Sequence, residues 1–388
     1  MTKAMPIAGC STGIGTGLGR LLKSIAKTCA GLAMLGLAAA CSTSPDKVCE
    51  SPYAQSPQYK GCGFHNMDNP DVLPQQSSFK IWWRVLTETK VGTVPVDAIP
   101  MKPLSRAQLD ALDNTRNHVV RLGHSSHLLK LRGSYWLIDP VFSERTSPLQ
   151  WIGPKRFHPS PIALTELPDI EGLVLSHDHY DHLDTATIEY LNGKVKRYFV
   201  PLGVGRRLQG MGVAAERITE LDWWQTHSHA TQAQGGVTLT ATPAQHFSGR
   251  SLTDRNETLW ASWVLQSGDQ RIFYSGDSGY FPGFKQIGAR FGGFDLALME
   301  NGAYDSYWPA VHMTPEQTLQ AFQDVKARTL YGVHNSTFDL AFHPWQDPLE
   351  RLAALAERNG IELATPLIGE VLTVGQGRAN ALWWKGLR

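Results

Sequence analysis

Short apolar runs broken by glycine mark the stretch that opens at Asn117: 118–122, 126–131 and 135–139 read as three strands. Strand-like runs recur at 173–176, 197–200, 237–242, 260–265, 271–275, 295–300 and 329–333. Helical spacing intervenes. A short helix is predicted over 185–191, and one over 315–325 carries Leu319, Phe322 and Val325 on one face. Thr314, with Gln317 three residues on, is a fitting N-cap for it. A third helix, over 348–358, carries Leu349, Leu352 and Leu355. Strands first, then strands alternating with helices, predict sheets covered by helices, a layered α/β domain over 117–388. No internal sequence repeat is evident.

The first 40 residues follow another pattern. Four basic residues (Lys3, Arg20, Lys23, Lys27) and no acids precede an apolar stretch from Cys29 to Ala40, which reads as an export signal. Leu37-Ala38-Ala39-Ala40-Cys41-Ser42 resembles a bacterial lipoprotein cleavage box, with Leu37 one place early. Cleavage there would leave Cys41 for lipid attachment at the periplasmic face of the cell envelope. Ser42 in place of an aspartate favours the outer membrane, by resemblance to bacterial lipoproteins. Residues 41–116 read as a tether and a wrapping segment, rich at first in Ser, Pro, Gln, Asn and Gly. Phe79, Trp82, Trp83 and Leu86 are helically spaced, either against the protein's own domain or at a membrane surface. Cys49 and Cys62 are left to pair in an oxidising compartment or to remain free thiols. Gly13-Ile14-Gly15-Thr16-Gly17-Leu18-Gly19 mimics a nucleotide loop but has neither a preceding strand nor a following acid.

Composition narrows the partners. The 388 residues are 42% hydrophobic and 18% charged, enough for a large core. Without the first 40 residues the balance is 32 basic against 35 acidic, about −3, which argues against nucleic acid.

The chemistry is concentrated at His177-Asp178-His179-Tyr180-Asp181-His182, directly after an apolar run. A strand end followed by a tight loop can aim several of these side chains at one point, and imidazole with carboxylate suits divalent zinc. His246, Asp277 and His334 each stand where another apolar strand runs out, a place where loops gather function on a rigid scaffold. With His177, His179, Asp181 and His182 they make five histidines and two aspartates, enough for two metal ions.

That set, His177-x-His179-x-Asp181-His182 with His246, Asp277 and His334, resembles the metallo-β-lactamase superfamily over residues 117–375. The resemblance implies a four-layer αββα sandwich with the metals at one edge. By position, His177, His179 and His246 would hold one ion and Asp181, His182 and His334 the other, with Asp277 bridging both. A narrower likeness is to the N-acylphosphatidylethanolamine-hydrolysing phospholipase D family. It rests on Leu122-Gly123-His124-Ser125, Thr242-Pro243-Ala244-Gln245-His246, Gly276-Asp277-Ser278-Gly279-Tyr280 and His312-Met313-Thr314-Pro315-Glu316. One departure falls after His334, where Asn335-Ser336 replaces the family's Trp-Gly. The resemblance implies a phospholipid substrate, two divalent ions, most simply Zn2+, and hydrolysis without a covalent enzyme intermediate.

Around the ligands, His312 is the candidate for an oxyanion or leaving-group contact, because it precedes a predicted helix N-terminus. Asp178, Gln245 and His124 are candidates for supporting the ligands. Trp223, Trp224, Tyr304, Tyr307 and Trp308 are candidates for an apolar entry path. Two other readings remain open: a lactonase or carboxylic-ester hydrolase on the same fold, and a metal-binding envelope lipoprotein without turnover.

Overall fold

The computed structural model describes residues 51–67, 80, 83–84, 87–231, 235–376 and 381–388. The chain divides into two units, Met1–Ser44 with Ser77–Thr87, and Pro45–Gln76 with Glu88–Arg388. In the first, residues 80, 83, 84 and 87 are helical, as the spacing around Trp83 predicts, and Trp83 is exposed. The signal segment, Cys41 and Cys49 lie outside the described residues. Cys62 is disulfide-bonded.

The second unit opens with two short paired strands, β1 (Tyr59–Lys60) and β2 (Gly63–Phe64), and a helix, α1 (Arg106–Asp110). Then follow β3 (Asn117–Gly123), β4 (Ser126–Leu131), β5 (Ser134–Ile138), β6 (Ile170–Val174), α2 (Thr185–Leu191), β7 (Val195–Pro201), α3 (Val204–Gly210) and β8 (Ile218–Leu221). The rest comprises β9 (Thr226–His229), β10 (Val237–Thr242), β11 (Ser262–Ser267), β12 (Gln270–Tyr274), α4 (Gly283–Phe291), β13 (Phe294–Glu300), α5 (Pro315–Val325), β14 (Ala327–Val333), α6 (Asp347–Asn359), β15 (Glu362–Ala364) and β16 (Val371–Thr373).

These strands build two seven-stranded sheets, ordered β16-β3-β4-β5-β6-β7-β8 and β15-β14-β13-β12-β11-β10-β9. Each pairs antiparallel through its first hairpins and then turns parallel, from β5 onward in one and from β12 onward in the other. Side chains alternate across each strand, so each sheet buries both faces. Val119 joins the central core with Leu239, Trp263 and Tyr274 from the other sheet. Its neighbour Val120 joins Ile188 and Leu191 of α2 on the outside. In the second sheet Ile272 faces inward, while Phe273 joins Phe284 of α4 and Phe322 of α5. Two sheets face to face, with helices on both outer surfaces, are the αββα sandwich that the resemblance implies. Thr314 caps α5 in a reciprocal box with Gln317, as the sequence predicts.

His227 and His229 lie on β9, an edge strand that alternates between exposed and half-buried positions. One expectation fails here. Trp223 is core, its indole Nε1 donating to the Trp260 carbonyl at 2.7 Å, and Trp224 lies beneath the Arg290 guanidinium.

Candidate metal centre

Strands β6, β10, β12 and β14 end at one edge, and the loops leaving them carry the polar residues. The 177–182 loop follows β6, His246 follows β10, Asp277 follows β12 and His334 follows β14. Gly276 lets two of these loops meet: at φ +58°, an added Cβ would lie 2.8 Å from the Ser176 Cβ.

All seven side chains converge. Nδ1 of His179 lies 2.8 Å from Nε2 of His177 and 3.3 Å from Nε2 of His246. On the other side, Nε2 of His334 is 3.2 Å from Asp181 Oδ2 and 2.9 Å from Asp277 Oδ2. Nε2 of His182 is 3.1 Å from Asp277 Oδ1. Asp277 therefore sits between the groups, with its Oδ2 3.9 and 3.8 Å from His177 and His246.

The outward-facing ring nitrogens decide what points inward. Nδ1 of His246 faces the Val311 carbonyl at 3.1 Å, which only accepts, so this nitrogen carries the proton. Nδ1 of His182 donates to Asp139 Oδ2 at 2.7 Å. The Ser176 hydroxyl donates to the same carboxylate and accepts from His177 Nδ1 at 2.9 Å. In their neutral form His177, His182 and His246 thus aim the lone pair of Nε2 at the centre, the arrangement a cation needs. Buried Nε2 of His182 and Oδ1 of Asp277 lack a hydrogen bond of good geometry. The donor set fits divalent metal ions of the kind bound by imidazole and carboxylate.

The electrostatics divide the histidines into a neutral pair and a pair that the carboxylates favour as protonated. Burial holds the imidazoles of His177 and His246 well below the ordinary histidine range. Burial pulls His334 and His182 the same way, but Asp277 and Asp181 prevail, raising His334 to about 10 and His182 well above its ordinary value. The carboxyls of Asp277 and Asp181 resist burial through the charge of His182 and stay far below the usual carboxylate range.

His124 lies closer than a packing residue would: its Nε2 is 2.9 Å from Asp181 Oδ2 and its ring 4.1 Å from that of His334. His312 reaches the same centre from the loop before α5, with Nδ1 3.2 Å from Glu300 Oε1. A cavity of about 270 Å³ opens over the cluster, walled by Phe247, Arg255, Trp308, Val311, His312 and Leu340 among others.

Several expectations are corrected. Asp178 makes no hydrogen bond to a candidate ligand histidine and acts on His179 through its charge alone; it is buried against Arg207 Nε at 3.2 Å and accepts the Gly249 N–H at 2.8 Å. Gln245 reaches no ligand side chain; its amide donates to the Ala310 carbonyl at 2.9 Å, beside the carbonyl that orients His246. Of the five aromatics expected on the entry path, only Trp308 is on the cavity wall. Tyr304 is buried, stacked on His343 and bonded to Asp347. Asn335 turns away from the cavity, accepting from the buried Arg121 at 2.9 Å.

Four residues escaped the sequence reading. Asp139, at the end of β5, orients His182. Glu300, buried at the end of β13, holds His312 and takes the Met313 N–H at 2.8 Å; burial raises its carboxyl. Asn66 clamps His246 from the N-terminal segment, donating to its carbonyl at 2.9 Å and accepting its N–H at 3.0 Å. Arg255 stands on the cavity wall with its guanidinium 4.7 Å above the Phe247 ring. A polar residue ending an apolar strand was the available signal for Asp139 and Glu300; Asn66 and Arg255 had none.

Comparison with known proteins agrees with this geometry. Residues 135–335 match the family described as Beta-lactamase superfamily domain. A protein of Mycobacterium tuberculosis named only as uncharacterized is 42% identical over 339 residues, 85% of this chain and 88% of that one. N-acyl-phosphatidylethanolamine-hydrolyzing phospholipase D 1 of Caenorhabditis elegans is 35% identical over 246 residues, 61% of this chain and 68% of the worm protein. Igni18, a metallo hydrolase of Ignicoccus hospitalis, shares the fold at a TM-score of 0.51 and 20% identity, covering 68% of this chain and 100% of its own. The chain therefore belongs to the metallo-β-lactamase superfamily of metal-dependent hydrolases, in company with a relative named as an N-acylphosphatidylethanolamine-hydrolysing phospholipase D.

Proposed function

We propose that this chain is a dinuclear phosphodiesterase of phospholipase D type. Its substrate would be N-acylphosphatidylethanolamine or a related phospholipid, cleaved to phosphatidic acid and N-acylethanolamine. The observation that carries the reading is one cavity joining the histidine–aspartate cluster to the Phe247, Trp308, Val311 and Leu340 wall, with Arg255 beside it. The worm relative's name adds support.

His177, His179 and His246 would hold one ion, Asp181, His182 and His334 the other, with Asp277 between them. Two bound zinc ions supply charge neutralisation for a phosphodiester and water acidified toward neutral pH. The protein's own groups do the rest. Arg255 offers a cation to the phosphate, and its planar fork suits paired oxygens. Glu300 fixes the ring of His312 so that Nε2 faces the cavity, placed to bond a phosphate or leaving oxygen. The apolar wall accepts the start of an acyl chain and excludes water. A lipid on Cys41 would hold the enzyme at the periplasmic face of the outer membrane, among its substrates.

The test is incubation of metal-loaded protein with a phospholipid panel, read by mass spectrometry, with elemental analysis alongside. Release of phosphatidic acid and about two ions per chain are expected. Opening of lactones with no change at phosphorus would refute the reading.

A further inference from the structure

After β5, and so at the same sheet edge as the 177–182 loop, the chain leaves the fold as a hairpin. Arg156 N donates to the Glu144 carbonyl at 2.9 Å, Thr146 N to that of Pro154 at 3.2 Å, and the backbones of Arg145 and Lys155 pair antiparallel. The base is fixed beside the metal centre. Ser143 N donates to Asp184 at 2.8 Å, Phe157 N to the Thr337 carbonyl at 2.8 Å, and the Phe338 ring lies 5.3 Å from that of His124. The tip is apolar and unburied: Leu149 is 47% exposed, Trp151 75% and Ile152 43%. A second loop of this edge, anchored by Arg250 to the carbonyls of Asp178 and Leu183, exposes Leu252.

Single exposed apolar side chains are ordinary, but three large ones within four residues at a hairpin tip mark a contact surface. Tryptophan suits a boundary between water and hydrocarbon. Within the hairpin Glu144 is paired with Lys155 at 2.7 Å and Arg156 is folded over the Phe338 ring at the base, which leaves half-buried Arg145, bonded to the Gly153 carbonyl, as the cation beside the tip that complements an anionic headgroup. The cavity of about 270 Å³ is small for a ligand pocket. It takes a headgroup and leaves most of the acyl chains outside, still in the bilayer.

We propose that the 143–157 hairpin inserts its Leu149, Trp151 and Ile152 tip into an anionic phospholipid bilayer and so seats the metal cavity against the headgroups. This rests on the lipid-hydrolase reading above. It adds an orienting contact distinct from any anchor at Cys41, since an anchor tethers the protein without choosing which face meets the membrane.

The test uses purified full-length protein on vesicles of phosphatidylethanolamine and phosphatidylglycerol, some chains brominated. The fluorescence that Trp151→Phe removes should be quenched by the bromines in the wild type. Trp151→Ala should raise the vesicle concentration for half-maximal turnover about tenfold, and Leu149→Ser with Ile152→Ser should do the same. Turnover of a soluble short-chain phosphodiester should be unchanged. An unquenched Trp151 component overturns the proposal, as does a dimer in sedimentation that Trp151→Ala dissociates, which would assign the tip to a second copy. Quenching requires no catalysis. Quenched Trp151 with no phospholipid cleaved would reject the substrate and keep the hairpin's role; cleavage with unquenched Trp151 would do the reverse.

Discussion

Replacing Asp139 with asparagine should loosen one cation site without touching a ligand. The carboxylate has no exposure to solvent and meets four donors. Oδ1 takes the Ser176 N–H at 2.7 Å, while Oδ2 takes the Ser176 hydroxyl, the Tyr274 hydroxyl and His182 Nδ1, the last at 2.7 Å. An asparagine has one oxygen and an NH2 group that can only donate. Whichever way it turns, a buried donor faces another donor, which costs about 1–3 kcal/mol. The cheapest relief is for His182 to move its proton from Nδ1 to Nε2 and accept from the new amide. That places an N–H where a lone pair must meet the ion, and affinity for the ion beside Asp181 should fall about ten- to a hundredfold. Competition against a fluorescent zinc chelator, with metal counted by elemental analysis, reads the effect; urea unfolding reads the stability loss. Tyr274→Phe is the control, because it removes one donor and leaves His182 its acceptor. Two ions held with undiminished affinity in Asp139→Asn would refute the reasoning.

Asn66→Ala removes both bonds to the His246 backbone and should lower stability by about 2 kcal/mol and turnover with it; unchanged values in urea unfolding and lipid turnover would reject the clamp. Asp277→Asn should keep the fold, by circular dichroism, and lose turnover by orders of magnitude; full activity would remove its central role. Burial holds His127 and His158 down at about 3, so both stay neutral in the fold while the unfolded chain takes up protons below about 6.5. Stability therefore falls as pH drops from 6.5 toward 3, by about 2 kcal/mol per histidine at pH 5. Urea unfolding with chelator present at pH 7 and 5 should show a smaller difference in His127→Gln than in wild type; an equal difference would reject this. Cys41→Ser should abolish metabolic labelling with an alkyne fatty acid, and labelling that persists would reject the lipid at that position.

The seven converging side chains were legible because each is a strong local event, a histidine or aspartate where an apolar strand stops. Their supports were not, because each means something only beside a partner far away in sequence: Asp139 lies 43 residues from His182, and Asn66 lies 180 from His246. The long helices were legible from spacing and caps. The helix α4 was missed, its apolar face broken by Gly288, where an added Cβ would lie 2.1 Å from the Asp324 carbonyl oxygen of α5. The strands β15 and β16 span three residues each, too short for alternation to register. Trp223 and Trp308 differ by position in the fold alone, so sequence gave no means to tell core from cavity wall.

The metal edge is also where the two sheets are stitched together. Tyr274 of the second sheet donates to Asp139 of the first, Trp263 Nε1 to the Leu175 carbonyl at 2.9 Å, and Ala261 N to the Ser176 carbonyl at 2.9 Å. Each bond is buried, where an unmet polar group is expensive and slippage between sheets would leave several. The 177–182 loop rides on the first sheet, and His246, Asp277 and His334 ride on the second. These cross-sheet bonds therefore set the separation of the two half-sites before any ion arrives. Strand packing, rather than the ions, fixes where the lone pairs meet.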